Sequence, residues 1–534
     1  MPDGLVMLVF HAHLPYVRHP ELNYCLEENW FFEAITETYI PLLMIFEQLV
    51  EDNVNFKITL TMTPTLMSML KDDFLQERFR KYLSSRLELA NKEKIRTWGQ
   101  PGFHCVARWY RARLQEIEHY YHNLYRGNLL NAFRKFSEMG KLEILTCAAT
   151  HGFLPLLQGQ PQAVRAQLQV GVDTYRDFMG RSPQGIWLPE CAYYPGLEKI
   201  LHQVGLRYFF LDTKGVTEAS PTPPWGVFTP LMTDNQIAAF GREAETSRQV
   251  WCAQTGYPGD PVYRDFYRDL GFDLDMDYIG PYVDPAGIRI FTGFKYYQVT
   301  GKTDQKQPYN PQIALERARH HAEHFAESLV NRVRQLKLQM NRQPLIVSAY
   351  DAELLGHWWF EGPNWLEHLL RTLDKEGKVE TATGPEYLSQ YPDNPIGRPA
   401  VSSWGDQGYY STWLNNTNDW IYPHLYAAGE QMSEMVRRYP NAAGSLQRVL
   451  NQALRELLLA QSSDWAFIIN NQTAAEYAER RTKEHLHNFR QLYLYACSSQ
   501  LTETLPIEVD TLLTSLEAKN NLFPKIDYRV FRES

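Results

Sequence analysis

The chain has 534 residues, too many for one simple core, so a large domain with at least one smaller companion is expected. Its net charge of −9 and pI near 6.0 leave no basic excess with which to displace the counterions of a nucleic acid, which argues against that partner and for a neutral one. Six scattered cysteines without a C-x-x-C pair and a start without a signal-like segment point to the cytoplasm; no apolar run approaches the roughly 20 residues that span a bilayer, so no membrane partner is expected.

Short apolar runs that read as buried strands recur at Leu5 to Phe10, Phe56 to Met62, Leu142 to Cys147, Gly185 to Leu188, Tyr208 to Leu211, Ile288 to Phe291 and Leu345 to Ala349. Most are separated by segments of helical spacing. That alternation belongs to an α/β fold with a parallel sheet or barrel, whose chemistry sits at the carboxyl ends of the strands. Residues 71–139 break the alternation: they are charged and aromatic, with helical patterns such as Leu75-Phe79-Tyr82-Leu83, and read as a helical insertion. At Tyr391 to Ala400, four residues (Pro392, Pro395, Gly397 and Pro399) forbid a helix interior and mark a crossing between a catalytic unit, 1–390, and a helical one, 391–534. In the latter, Leu446, Val449, Leu450, Leu454, Leu457 and Leu458 trace one helix face, and Tyr477, Ala478, Arg481, His485 and Phe489 another. Neither a phosphate-cradling glycine loop nor a dinucleotide fingerprint occurs, so nucleotide chemistry has no visible foothold.

Three segments carry candidate chemistry. His11-Ala12-His13 follows the first strand and admits three readings: metal ligands together with His151 and His357, structural histidines, or contacts to sugar hydroxyls. In Trp187-Leu188-Pro189-Glu190 a proline fixes the backbone before a carboxylate, which suits either a nucleophile or a cap of the next helix. From Tyr350 to Glu361, Asp351, Glu353 and Glu361 stand among Tyr350, Trp358, Trp359 and Phe360. Apolar surroundings disfavour a carboxylate and raise its pKa toward that of a proton donor, although a core aromatic cluster with capping acids has the same composition. Two such carboxylates at strand ends are what acid-assisted cleavage of a sugar acetal requires, and an aromatic content of 13% supplies rings on which sugar faces stack.

The segments His11 to Tyr16, Gly140 to Leu157, Trp187 to Tyr193, Ser348 to Gly362, and Ser402 through Trp413 resemble, in their usual order, the five signature regions of glycoside hydrolase family 57. Ser247 to Trp251, Gly256 to Asp269, Ser463-Asp464-Trp465 and Tyr477 to Arg481 are similar to segments of that family's α-glucan branching enzymes. The resemblance covers nearly the whole chain. It implies a distorted (β/α)7 barrel, a helical insertion and a C-terminal helical domain that helps close the active site, in a retaining enzyme acting on α-1,4-glucans without metal or organic cofactor. By position in the motifs, Glu190 matches the nucleophile and Asp351 the acid/base. His11, His13 and His151 match donor-subsite positions, Trp404 and Trp413 ring platforms, and Asp464 a substrate-binding residue of the tail; Arg264, Gly287 and Thr473 match further substrate contacts. Release of the glycosyl-enzyme by water gives an amylase and release by a glucan 6-hydroxyl gives an α-1,6 branch, and the two carboxylates do not encode the choice. Length, the Gly256 to Asp269 segment and the tail favour branching. Hydrolysis, 4-α-glucanotransfer and bare glucan binding stay as alternatives. One departure counts against branching: the family's branching enzymes carry a mobile active-site loop with a tyrosine near its tip, and the segment aligned to it, Ser220 to Gln236, has Trp225 and Phe228 but no tyrosine.

Overall fold

The computed structural model of the protein describes residues 2–498 and 505–532. Strand β1 (Gly4–Ala12) is buried along its whole length, as its continuous apolar run demands of a strand covered on both faces. It pairs in parallel with β2 (Ile58–Met62) and β8 (Leu345–Asp351), and at its start with β9 (Val379–Thr381); β2 continues to β3 (Leu142–Leu145). A second sheet holds β4 (Gly185–Ile186), β5 (Tyr208–Leu211) and β7 (Ala238–Gly241) in parallel, with β6 (Leu231–Met232) antiparallel on β7. The sheets meet at two seams: a single bridge between Thr146 and Ile186 joins β3 to β4, and the Glu243 amide donates to the Val347 carbonyl at 2.8 Å, joining β7 to β8. The ring β8, β1, β2, β3, β4, β5, β7 thus closes as seven parallel strands. Its two thin seams are the distortion of the barrel.

Side chains alternate faces along a strand. Leu5, Met7 and Val9 join Trp187, Phe210, Phe240 and Val347 in the barrel interior, whereas Val6, Leu8 and Phe10 pack against the surrounding helices. His11 and His13 continue the inward series past the end of the apolar run. The expected strand at Ile288 to Phe291 does not form. That segment lies between glycines at positive φ, Gly287 and Gly293, and its following amides, Thr292 and Gly293, are taken by the Asp269 carboxylate at 2.8 and 3.0 Å instead of a ladder. The seventh barrel strand is Ala238–Gly241, too short and small-residued to stand out as an apolar run.

The helices Asp73–Arg96, Pro101–His119 and Leu129–Glu138 fill the insertion between β2 and β3. A second excursion, residues 244–344, separates β7 from β8 and docks on the first: Tyr282 OH donates to Glu88 at 2.7 Å and Tyr278 OH to Glu93 at 2.8 Å. Ser220 to Gln236 is not a lid. Met232 N donates to Pro395 O at 2.7 Å, Ser220 N to Arg398 O at 3.0 Å, and Arg342 and Arg332 cover the rings of Trp225 and Phe228, so the segment is bound into the barrel wall beside the 391–400 crossing.

Beyond the crossing the described chain is helical, with helices Ile421–Arg438, Gly444–Ala460, Ser463–Asn471, Ala475–Cys497 and Ile507–Lys519. Val449, Leu450, Leu454, Leu457 and Leu458 are buried against the buried face Tyr477, Ala478, Arg481, His485 and Phe489, with His485 Nδ1 bonded to the Glu456 carboxylate at 2.7 Å. Among the described residues no helix is long and apolar enough to cross a membrane.

Candidate active site

Glu190 is held where the chain leaves β4. Its φ of 61° lies in the left-handed region, as do those of Cys191 (50°) and His151 (58°), and such backbone costs about 1–3 kcal/mol per residue unless its surroundings impose it. Here they do. The Trp404 amide donates to the Glu190 carbonyl at 3.0 Å, and the Trp404 indole Nε1 donates to Glu190 Oε2 at 2.8 Å. Ser463 Oγ lies 2.8 Å from Glu190 Oε1, and the Ser463 amide donates to the His151 carbonyl at 2.9 Å. The first turn of helix Ser463–Asn471 therefore reaches the strand ends, and two elements far apart in sequence fix one carboxylate.

The histidines form a stacked tier beneath it. His13 and His151 lie 3.8 Å apart between ring centroids and tilt by 15°, and His11 stacks on Trp187 at 5.0 Å. His11 Nε2 meets His151 Nε2 at 3.0 Å, while His151 Nδ1 meets Ser463 Oγ at 2.8 Å. His13 bonds Asp464 through Nε2 at 3.0 Å and Thr63 Oγ1 through Nδ1 at 3.1 Å. His13, His151 and Asp464 approach closely enough to suggest an ion, but imidazole lone pairs lie in the ring plane, and the two stacked rings, with centroids 3.8 Å apart, hold theirs in near-parallel planes that share no common ligand position. The cluster is organised as a hydrogen-bond net. Burial, reinforced by the neighbouring His13, drives the pKa of His11 and His151 well below the usual imidazole value, so both are neutral. Burial opposes a charge on His13 too, but the Asp464 carboxylate, with Glu190 and Glu353 behind it, outweighs that and raises its pKa.

Asp351, the last residue of β8, pairs with His11 in the ladder. Its carboxyl takes no hydrogen bond from the described residues and opens to solvent in the cleft. Loss of bulk water to the surrounding protein lifts its pKa to about 6, against the pull of His13 and Arg242. Because the group is solvent-facing, the direction of this shift follows from the cleft, whereas its size depends on what fills the cleft. Burial lifts Glu190 to about 7, against the Trp404 and Ser463 hydrogen bonds, which favour its charged form. Glu353, bonded by Tyr39 OH and by the His13 amide at 3.2 Å, is likewise lifted by burial to about 7.

The motif residues do not all converge. Glu190, Asp351, His11, His13, His151, Trp404 and Asp464 share the cleft. Trp413 does not offer a platform: it is 2% exposed and stacks on Phe153 at 4.8 Å, behind the site. Arg264 is buried beneath Phe360 (3.7 Å), with Nη1 on Glu37 at 2.9 Å and its amide on Glu361 at 3.1 Å; it braces the segment after Asp351. Gly287 sits in an exposed turn, its φ of 80° suiting glycine, and Thr473 in the turn between the helices Ser463–Asn471 and Ala475–Cys497. Sequence reasoning missed Ser463, although it adjoins Asp464 in a motif already singled out. It also missed Arg242, which follows the overlooked β7, pairs with Asp212 at 3.1 Å and lies 5.9 Å from the Trp404 ring.

Residues 7–398 match the family model described as Glycosyl hydrolase family 57, and residues 424–531 one described as 1,4-alpha-glucan branching enzyme, C-terminal. A 1,4-alpha-glucan branching enzyme of Thermococcus kodakarensis is 35% identical over 97% of this chain and 77% of its own. Among solved structures, an alpha-amylase of Thermotoga maritima matches with 44% identity and a TM-score of 0.92 over 100% of both chains. A branching enzyme of Pyrococcus horikoshii matches with 32% identity and a TM-score of 0.89, covering 100% of this chain and 97% of that one.

Proposed function

The chain belongs to glycosyl hydrolase family 57, and from that premise we propose that it is a 1,4-alpha-glucan branching enzyme that cuts an α-1,4 bond with retention and rejoins the chain to a 6-hydroxyl. One observation carries this reading: the segment matching the branching-enzyme C-terminal model supplies Ser463 and Asp464 to the catalytic tier. On this reading the tail takes part in the chemistry.

In this mechanism Glu190 Oε attacks the anomeric carbon while Asp351 gives its proton to the departing glycosidic oxygen, leaving a covalent glycosyl-enzyme. Asp351, now a carboxylate, takes the proton of an acceptor 6-hydroxyl, whose oxygen displaces Glu190 and restores both groups. Asp464 and His13 offer polar contacts to donor hydroxyls, and Trp404 holds the nucleophile by its indole N–H. Beside the site, Trp358 stacks on Phe266 at 4.5 Å and is 54% exposed, with Tyr267 75% exposed next to it, an aromatic surface fit for an acceptor chain. Synthesis of a glycogen-like storage glucan and a cytoplasmic setting extend the reading, the latter supported by the six free thiols.

Hydrolysis is the second reading, favoured by the 44% identity to an alpha-amylase and by a wall segment, Ser220 to Gln236, that carries no mobile tyrosine. Incubation with amylose decides: proton NMR showing new α-1,6 linkages with few new reducing ends supports branching, and reducing ends without α-1,6 signal overturn it.

A further inference from the structure

The hydrogen bonds around Glu190 do more than hold it. Starting from the Trp404 indole, which can only donate, Glu190 Oε2 must accept. On the other oxygen a continuous chain runs Glu190 Oε1, Ser463 Oγ (2.8 Å), His151 Nδ1 (2.8 Å), then His151 Nε2 to His11 Nε2 (3.0 Å), and ends at His11 Nδ1, which is buried without a partner among the described residues. Each link has one proton, so with the Ser463 hydroxyl committed to one of its two links the whole chain has two possible directions.

If the chain points toward Glu190, His11 donates from Nε2, His151 from Nδ1 and Ser463 from its hydroxyl, the carboxylate accepts on both oxygens, and the terminal His11 Nδ1 is a bare lone pair. If it points away, Glu190 must be protonated, both imidazoles must hold the opposite tautomer, and a buried N–H is stranded at His11 Nδ1. Stranded buried N–H groups are the rarer defect. We propose that Ser463, with His151 and His11, is a positioning relay whose hydrogen bonds point one way, orient Glu190 and favour its attacking carboxylate form against the burial that opposes it. This rests on the reading of Glu190 as nucleophile.

The groups facing the relay agree with it. His13, stacked on His151, is bonded to Asp464, which favours its charged form, with Glu353 behind it and Asp351 and Arg242 bearing on the same cleft. The neighbouring thiols of Cys147 and Cys191 are pushed well above their usual pKa by burial and stay neutral. His11 and His151 are themselves neutral, as the relay requires. Protonating Glu190 on Oε1 either inverts two tautomers at once or turns the Ser463 hydroxyl out of the chain, so the acid form of the proposed nucleophile is opposed by the tier and not by a single contact.

The test is Ser463→Ala beside Ser463→Thr, which restores a hydroxyl. Ser463→Ala is expected to lower kcat about 10- to 100-fold, the effect of one hydrogen bond to a charged group, with KM little changed. Its acid limb of kcat/KM should move to higher pH, because a donor that favours the ionised carboxylate is gone. Ser463→Thr should recover most of both. Wild-type kcat and an unmoved acid limb in a folded Ser463→Ala overturn the relay. Should the variants not fold, imidazole 15N spectra of the wild-type enzyme decide: His151 protonated at Nδ1 and His11 at Nε2 support it, and the opposite pair overturns it. Glu190→Gly with azide rescue runs alongside. If Glu190→Gly keeps wild-type turnover the premise itself falls, whereas rescue by azide together with a normal Ser463→Ala sinks only the relay.

Discussion

His11 and Asp351 are direct partners in the parallel ladder between β1 and β8. One strand pair therefore places the proposed proton donor beside the histidine whose hydrogen-bond chain ends on the proposed nucleophile, and a shift of that register would disturb both the donor and the chain. Glu190→Gln and Asp351→Asn should each reduce turnover on amylose by roughly 1,000-fold or more while leaving the unfolding transition in place. A fluoride donor, whose leaving group needs no proton, separates the roles. It should restore glycosylation to Asp351→Asn and not to Glu190→Gln, and the reverse pattern would exchange the assignments.

Burial lifts both carboxyls above their usual range, Glu190 to about 7 and Asp351 to about 6, so in the free enzyme the two titrate close together. Substrate should separate them. A glucan filling the cleft would remove water from the exposed Asp351, which takes no hydrogen bond from the described residues, and so raise its pKa; Glu190 is already buried with two donors and should change little. On the proposed roles, activity should fall below the acid limb, where Glu190 gains a proton, and above the alkaline limb, where Asp351 loses one. The profile of kcat/KM, which reports the free enzyme, should be a narrow bell centred between about pH 6 and 7, with limbs belonging to the pair. That of kcat should extend further on the alkaline side. An alkaline limb that stays put on saturation would contradict this account of Asp351.

Trp404 and Trp413 look alike in sequence and differ in the structure. Trp404→Phe removes the N–H on Glu190 Oε2 and should lower kcat by about 10- to 100-fold with little change in KM. Trp413→Ala opens a buried void behind Phe153 and should cost about 3–5 kcal/mol of stability, while kcat below the new melting range stays near wild type. Equal kinetic defects in the two variants would restore Trp413 as a substrate platform.

What was legible in the sequence followed from local pattern. The inward alternation Leu5, Met7, Val9 extends to His11 and His13, and the two acidic segments stand at the ends of apolar runs, so the strand-end carboxylates could be named from residues alone. What was not legible depends on partners remote in the chain. Ala238–Gly241 is a strand because β5 lies beside it, not because of its own apolar content, and Arg242 was hidden with it. Ser463 gains its role only when its helix docks against His151, 312 residues away. Conversely, Ile288 to Phe291 has a strand's composition, but the Asp269 carboxylate captures the amides that follow it.

Arg264 tests whether a motif residue acts by touching sugar or by bracing. Burial alone would raise the pKa of Glu37, but Arg264, with His357, overrides it and holds that carboxyl at about 2. This depressed value means that the stabilising share of Glu37 is complete above the ordinary carboxylate range and drains away as pH falls from 4.5 toward about 2. Arg264→Met strands a buried charge and should cost about 3–5 kcal/mol at neutral pH, and adding Glu37→Gln should recover part of that. A variant of wild-type stability with a raised KM would make Arg264 a sugar contact instead.

Trp358 offers the sharpest test of transfer against hydrolysis. Its backbone amide donates to the Glu353 carbonyl at 3.2 Å, two residues past Asp351, while its ring lies open on Phe266, so it is tethered to the catalytic segment without belonging to the donor tier. Water needs no platform and an acceptor chain does. Trp358→Ala should therefore leave cleavage of amylose nearly unchanged and lower the yield of α-1,6 linkages by roughly 2- to 10-fold, the worth of one stacking contact, with reducing ends rising in their place. Parallel losses of both products would show that the ring serves the donor chain or the fold. A fall in branching alone would place the acceptor over this aromatic pair.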